Sequence, residues 1–229
     1  MNFDLTDDLQ LFQDQIRKFV EREVAPGARE RDVGEVFPGE ILRKLGETGY
    51  LGGTVSPEYG GAGMDYLSYG ILIEEIGRAD SSLRSTISVQ LSLVMRPIEI
   101  WGSEEIKRRY LPKLASGEMI GCFGLTEPNA GSDAAAQQTT AIRDGDHYVL
   151  NGQKMWITNG GKAHVALVIA QTKPGGGTDT IAAFVVDRDT PGFSTADIHG
   201  KLGLRSSNTG QLFFADCRVP ADRMVGKVG

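Results

Sequence analysis

Cys122-Phe-Gly-Leu-Thr-Glu-Pro-Asn-Ala-Gly-Ser-Asp133 lies where the pattern of the chain changes. Before it, apolar residues recur at helical spacing; after it they alternate. Ile120 to Leu125 reads as a short apolar strand, and Thr126, Pro128, Asn129, Gly131 and Ser132 then crowd hydroxyls and turn formers together. A strand opening into such a loop gathers backbone N–H groups and hydroxyls, which suits an anionic or amide-rich ligand. Many surface turns share that composition, so the loop alone decides nothing.

Upstream, Leu5, Leu9, Phe12, Ile16, Phe19 and Val20 predict a helix capped by Thr6 and running to about Val24, short of Pro26. A second helix is expected from about Gly39 to Thr48, and two longer ones near 66–79 and 82–100. The last carries Leu83, Ile87, Leu91 and Val94 as an apolar stripe, with Arg84, Ser85 and Ser88 as a polar group near its start. Ser103 caps a further helix that closes at Gly117. The glycines of the 52–63 loop lack the strand-then-helix setting of a dinucleotide site.

Downstream, Asp144-Gly145 and Asn151-Gly152 predict hairpins. Strands are expected near 120–125, 139–143, 147–151, 153–158, 164–171, 180–187 and 211–217. The fold class read from this is α+β: an all-α helical domain over 1–119, then a small antiparallel β-barrel over 120–229.

A net charge of −6 over 229 residues argues against nucleic acid as a partner, since no basic stripe is present to neutralise phosphates. Lys107-Arg108-Arg109 follows Glu104 and Glu105 and reads as a solvated helical face. Two isolated cysteines, Cys122 and Cys217, suggest a reducing compartment without disulfides. The acidic start resembles no signal peptide and no apolar run reaches membrane-spanning length, so a soluble cytoplasmic protein without membrane insertion is expected. His147, His164 and His199 are scattered, without the spacing of metal ligands. Glu127 reads as a structural acid, Cys122 as a small buried residue and Arg205 as structural.

A second stretch, Lys154-Met-Trp-Ile-Thr-Asn-Gly160, places Trp156 and Thr158 on one face of a strand. An indole beside a hydroxyl can cover a flat ring and bond its edge; the same residues would also serve as a barrel core and an ordinary strand. In register, the two stretches resemble the flavin-binding signatures of the acyl-CoA dehydrogenases, and the likeness runs from about Leu5 to about Val225. It implies FAD as cofactor, with the loop from Phe123 to Ser132 along the isoalloxazine ring. Backbone groups of Leu125 and Thr126, with the Thr126 hydroxyl, would meet the pyrimidine end, and Gly131 and Ser132 would sit near the pyrophosphate and the thioester ligand. Trp156 would pack on the ring, Ile157 lies within the same binding stretch, and the Thr158 hydroxyl would reach N5. Hydrogen bonds at N1, O2 and N5 stabilise the charge of a reduced flavin.

The segment Ser82 to Val94 is similar to the corresponding helix of glutaryl-CoA dehydrogenases. The resemblance implies that Arg84, Ser85 and Ser88, with Ser132, bind substrate, the Arg taking the distal carboxylate of a dicarboxylic acyl thioester. Enzymes for substituted succinyl thioesters would need a similar Arg, and a bare reading pairs Arg84 with Glu75 or Asp80.

Family members continue beyond a stretch like Val219 to Gly226 into a second helical bundle, which carries the Glu that removes the α-proton. No catalytic residue is therefore assigned within this chain, and the 229-residue polypeptide alone is expected to dehydrogenate little. The resemblance implies an acyl-CoA substrate, an electron-transfer flavoprotein as acceptor and a homotetramer at full length. A short- or branched-chain monocarboxyl enzyme and a non-catalytic flavin or acyl-CoA binding module are the alternatives.

Overall fold

The computed structural model describes residues 4–229; Met1 to Phe3, part of the acidic start, lie outside them. Helix α1 (Asp7–Phe19) begins as the sequence predicts, with the Thr6 side chain accepting the Leu9 N–H, and passes into π-helical turns over Val20–Val24. The short α2 (Ala28–Val33) was not anticipated, because its residues bury no side chain and so present no apolar stripe. Helices α3 (Gly39–Glu47) and α4 (Tyr66–Ala79) fall where expected.

The single helix expected over 82–100 is α5 (Ser81–Ser88), widened turns over Val89–Met95, and α6 (Arg96–Trp101). Arg96 donates its N–H to the Leu91 carbonyl, five residues back, just before Pro97. Proline supplies no N–H and crowds the turn before it, so a widened ladder is a physical outcome here. Helix α7 (Glu104–Ala115) is capped by Ser103, whose hydroxyl accepts the Ile106 N–H. The fully buried Leu83, Ile87, Leu91 and Val94 confirm the stripe. The 107–109 run is ion-paired at the surface, with Arg108 on Glu58 at 2.9 Å and Arg109 reaching Asp187 at 3.0 Å.

The second half builds β1 (Gly121–Gly124), β2 (Thr140–Asp144), β3 (His147–Thr158), β4 (Val165–Gln171), β5 (Ile181–Asp187), β6 (Phe193–Asp197), β7 (Thr209–Pro220) and β8 (Met224–Val225). Two corrections follow. The expected antiparallel barrel is instead a mixed sheet in the order β6-β7-β3-β2-β4-β5-β8, and no ladder joins its ends among the described residues. Strand β1 runs parallel to β4, and so does the start of β2, because the long loop after β1 carries the chain back before the next strand begins.

Asn151-Gly152 is not a hairpin but an irregularity inside β3, where the register on β7 slips between Leu150 and Gly152. Gly152 has φ 142°, and a Cβ there would stand 2.7 Å from Thr139 Cα. The glycine marks a close backbone approach rather than a turn.

One core cluster spans both halves. Leu91, Val94, Ile98, Ile106 and Leu111 from the helices pack in the same cluster as Val165, Leu167, Val185 and Val225 from the sheet.

Candidate functional site

Strand β1 ends at Gly124, and the loop beyond it is held by the next-but-one strand. Consecutive residues of β3 hold consecutive carbonyls of that loop. Lys154 Nζ donates to the Leu125 carbonyl at 3.1 Å, and the Met155 N–H donates to the Thr126 carbonyl at 2.8 Å. Lys154 also pairs with Glu127 Oε1 at 2.7 Å and donates to Gln137 Oε1 at 3.0 Å. Glu127 in turn accepts the N–H groups of Gln138 (2.5 Å) and Thr139 (2.9 Å). Burial pushes the Glu127 carboxyl up, but its hydrogen bonds outweigh this and hold it below the usual carboxylate range. Burial pulls the Lys154 ammonium down against the attraction of Glu127. Glu127 is thus structural, as the sequence suggested.

Lys154 was missed, and the reason is geometric. By simple alternation Lys154, Trp156 and Thr158 would share a face. Between Lys154 and Ile157, however, β3 advances three residues while β7 advances two, from Leu212 to Gly210. This one-residue bulge puts Trp156 at φ 61° and reverses the alternation. Lys154 turns inward at 1% exposure, whereas Trp156 stands 58% exposed.

The remaining site residues divide cleanly. Thr126 and Thr158 are half-buried, and neither hydroxyl has a hydrogen-bond partner among the described residues. The Thr126 N–H is likewise without a backbone acceptor there. Ile157 is buried at 3%, so only its main chain can face a ligand. Leu125 is half-buried and Gly131 and Ser132 are exposed at the loop's outer end. Phe123 lines an apolar groove with Pro97, Trp101 and Leu167.

Helix α5 is tied to this strand end by Asn159, a second residue the sequence reading passed over. Its Nδ2 donates to the Thr86 carbonyl (3.3 Å) and to the Gly121 carbonyl (3.1 Å). Beside Thr86, Arg84, Ser85 and Ser88 are half-buried. The bare pairing of Arg84 is corrected: Glu75 is taken by Arg17 at 2.7 Å and Arg78 at 2.6 Å, and Asp80 by Arg31 at 3.0 Å. Ser88 closes back on the Ser85 carbonyl at 3.1 Å. Burial pushes the nearby Tyr69 phenol up, while its bond to Ser92 and the Arg84 charge oppose the shift.

Comparison with known proteins decides what family carries this arrangement. Residues 6–118 match the acyl-CoA dehydrogenase N-terminal domain, and residues 122–217 match the acyl-CoA dehydrogenase middle domain. The chain belongs to the acyl-CoA dehydrogenase family.

Among acyl-CoA dehydrogenases it is 46% identical to the short-chain specific enzyme of Clostridium acetobutylicum, over 100% of this chain and 60% of that protein. It is 41% identical to the glutaryl-CoA dehydrogenase of Desulfococcus multivorans, again over 100% of this chain and 60% of that one. The solved structure of a Mycobacterium smegmatis glutaryl-CoA dehydrogenase in complex with FADH2 superposes with a TM-score of 0.92 at 43% identity, covering 98% of this chain and 56% of the other. The chain thus spans about 60% of the length of the curated acyl-CoA dehydrogenases it matches. Among the described residues no helix is long and apolar enough to cross a membrane, and no three His, Cys, Asp or Glu side chains gather as a metal site.

Proposed function

We propose that this chain forms the flavin-holding part of a FAD-dependent acyl-CoA dehydrogenase acting on a dicarboxylic, glutaryl-type thioester. The observation that carries the flavin reading is the set of unused donors beside an exposed indole. The Met155 N–H bond seats Thr126 next to Trp156, and the hydroxyls of Thr126 and Thr158 have no partner among the described residues. These residues fit FAD: Trp156 offers a face for the ring, and the Thr126 N–H and the two hydroxyls offer hydrogen bonds to its polar edge. When bound, FAD supplies the acceptor for the hydride leaving the substrate's β-carbon.

The dicarboxylic reading rests on Arg84. A half-buried guanidinium without a carboxylate partner among the described residues suits a planar anion brought by a ligand. The likeness to the D. multivorans glutaryl-CoA dehydrogenase agrees with it. A short-chain monocarboxyl substrate is the second reading, favoured by the similarity to the C. acetobutylicum enzyme. The reading takes 1–119 and 120–229 as domains and assigns the proton-abstracting base to protein beyond this sequence. A homotetramer and an electron-transfer flavoprotein as acceptor belong to the same reading.

The test uses full-length protein. Its visible spectrum is expected to be that of oxidised flavin, bleached by glutaryl-CoA more readily than by butyryl-CoA. Arg84→Ala is expected to remove that preference while leaving the flavin bound. A colourless full-length protein sinks the flavin reading, and an unchanged preference in the variant sinks the dicarboxylic one.

A further inference from the structure

The flavin-facing peptide is aimed from the protein's interior. Lys154 is 1% exposed, yet its ammonium reaches a main-chain oxygen of the loop, that of Leu125, at 3.1 Å. No peptide bond is cis among the described residues, so the C=O and N–H of each peptide point in opposite directions. Drawing the Leu125 carbonyl toward a buried ammonium therefore turns the N–H of Thr126 away from it. That N–H has no backbone acceptor among the described residues.

A buried ammonium is costly unless paired, and Glu127 at 2.7 Å supplies the counter-charge. Glu127 belongs to the same loop, and it also takes the amides of Gln138 and Thr139 where the loop returns to β2. One ion pair thus fixes both limbs of the loop at its root. The next carbonyl, that of Thr126, is held by the Met155 N–H at 2.8 Å, so the peptides on either side of Thr126 are both anchored from β3. The bulge at Met155 and Trp156 allows the arrangement, since it lets Lys154 point inward while its second neighbour points out.

We propose that Lys154, with Glu127 as its counter-ion, is a positioning residue that sets the direction of the Thr126 N–H and hydroxyl toward the flavin. The inference rests on the flavin reading above and extends it to residues that need not touch the cofactor. A tightly packed ion pair serving stability alone would predict that flavin properties stay constant in any variant that folds.

The experiment compares full-length wild type with Lys154→Met/Glu127→Gln, which removes both charges and leaves neither buried alone. Thermal unfolding, FAD affinity of the apoprotein and the visible spectrum of the bound flavin are measured on each. Affinity is expected to fall roughly tenfold, the scale of one misdirected hydrogen bond. The flavin bands are expected to shift while the protein stays folded. A folded double variant with wild-type affinity and wild-type bands overturns the proposal. Should that variant not fold, Lys154→Arg decides: it keeps a charge beside Glu127 but replaces the compact ammonium with a planar guanidinium at the Leu125 carbonyl, so its affinity and bands must move in the same direction, and unchanged values overturn the proposal equally. A wild type that takes up no FAD overturns the flavin reading and this inference together, whereas FAD bound alike by wild type and variants overturns only the inference.

Discussion

Gln90 accepts the N–H of Gly121 at 2.8 Å, and its own Nε2 donates to the carbonyls of Leu114 (2.9 Å) and Met119 (3.0 Å). One side chain at 1% exposure thereby joins the end of α7, the connection that follows it and the first residue of β1. The widened turns after α5 place it there. Gln90→Leu keeps the bulk but leaves those buried backbone groups without a partner. It is expected to cost about 3 kcal/mol, given roughly 1–3 kcal/mol for each buried group left unsatisfied and some relaxation. Urea unfolding of both proteins measures this, and a loss under about 1 kcal/mol would show that water replaces the amide.

A polar latch crosses between the halves farther out. Arg205 donates its backbone N–H and its Nε to Asp32 at 2.8 and 3.0 Å, and Glu35 accepts from His199 and from the Gly200 N–H. The bonds from Arg205 hold the Asp32 carboxyl below its ordinary value of 3.8, and those from His199 and Gly200 hold Glu35 below 4.5. A depressed carboxylate stabilises the fold above its unfolded pKa, and that stabilisation is lost as the pH falls through its folded pKa. Arg205→Ala is therefore expected to be less stable than wild type at about pH 7, with the difference closing below about pH 4. Denaturant midpoints at several pH values check this; a gap that stays constant into acid would mean that Arg205 acts through packing alone.

Gly152 tests the reading of β3 as one continuous strand. An added Cβ would lie 2.6 Å from Thr139 Oγ1 and 2.7 Å from Thr139 Cα, on a residue whose φ is 142°. Gly152→Ala must strain its own backbone and push that of its neighbour, so a destabilisation of at least about 2 kcal/mol is expected. A thermal midpoint equal to that of wild type would contradict the close approach.

The same position shows what sequence alone could and could not give. Asn-Gly between alternating segments is a strong turn signal, yet a glycine needed for close approach is spelled the same way, and only the partner strand separates them. The helices were legible because residues such as Leu83, Ile87, Leu91 and Val94, all fully buried, repeat the helical period over about three turns. Helix α2 and strands β6 and β8 were not, since short elements bury too little to impose a pattern. Alternation puts Trp156 and Thr158 on one face and Lys154 with them, and it cannot show that a single extra residue turns the lysine inward, away from the indole. Sheet closure also lay beyond reach, since alternation tells which face is buried and nothing about which strands pair.

Trp156 offers a way to separate folding from ligand binding. It holds φ 61°, in the left-handed region, and is 58% exposed, so the protein bears backbone strain for an indole that packs little of its own core. Trp156→Gly relieves about 1–2 kcal/mol of that strain and returns about 0.5–1 kcal/mol as backbone entropy. Stability is thus expected to stay within about 1 kcal/mol of wild type, or to rise slightly. In full-length protein the variant loses the surface proposed to cover the flavin, and FAD affinity is expected to fall about tenfold or more, the scale of one lost aromatic contact. Melting curves with and without added FAD report both quantities at once. A variant that melts much lower without FAD would show the indole to be structural, and one that keeps the full FAD-induced shift would remove Trp156 from the binding site.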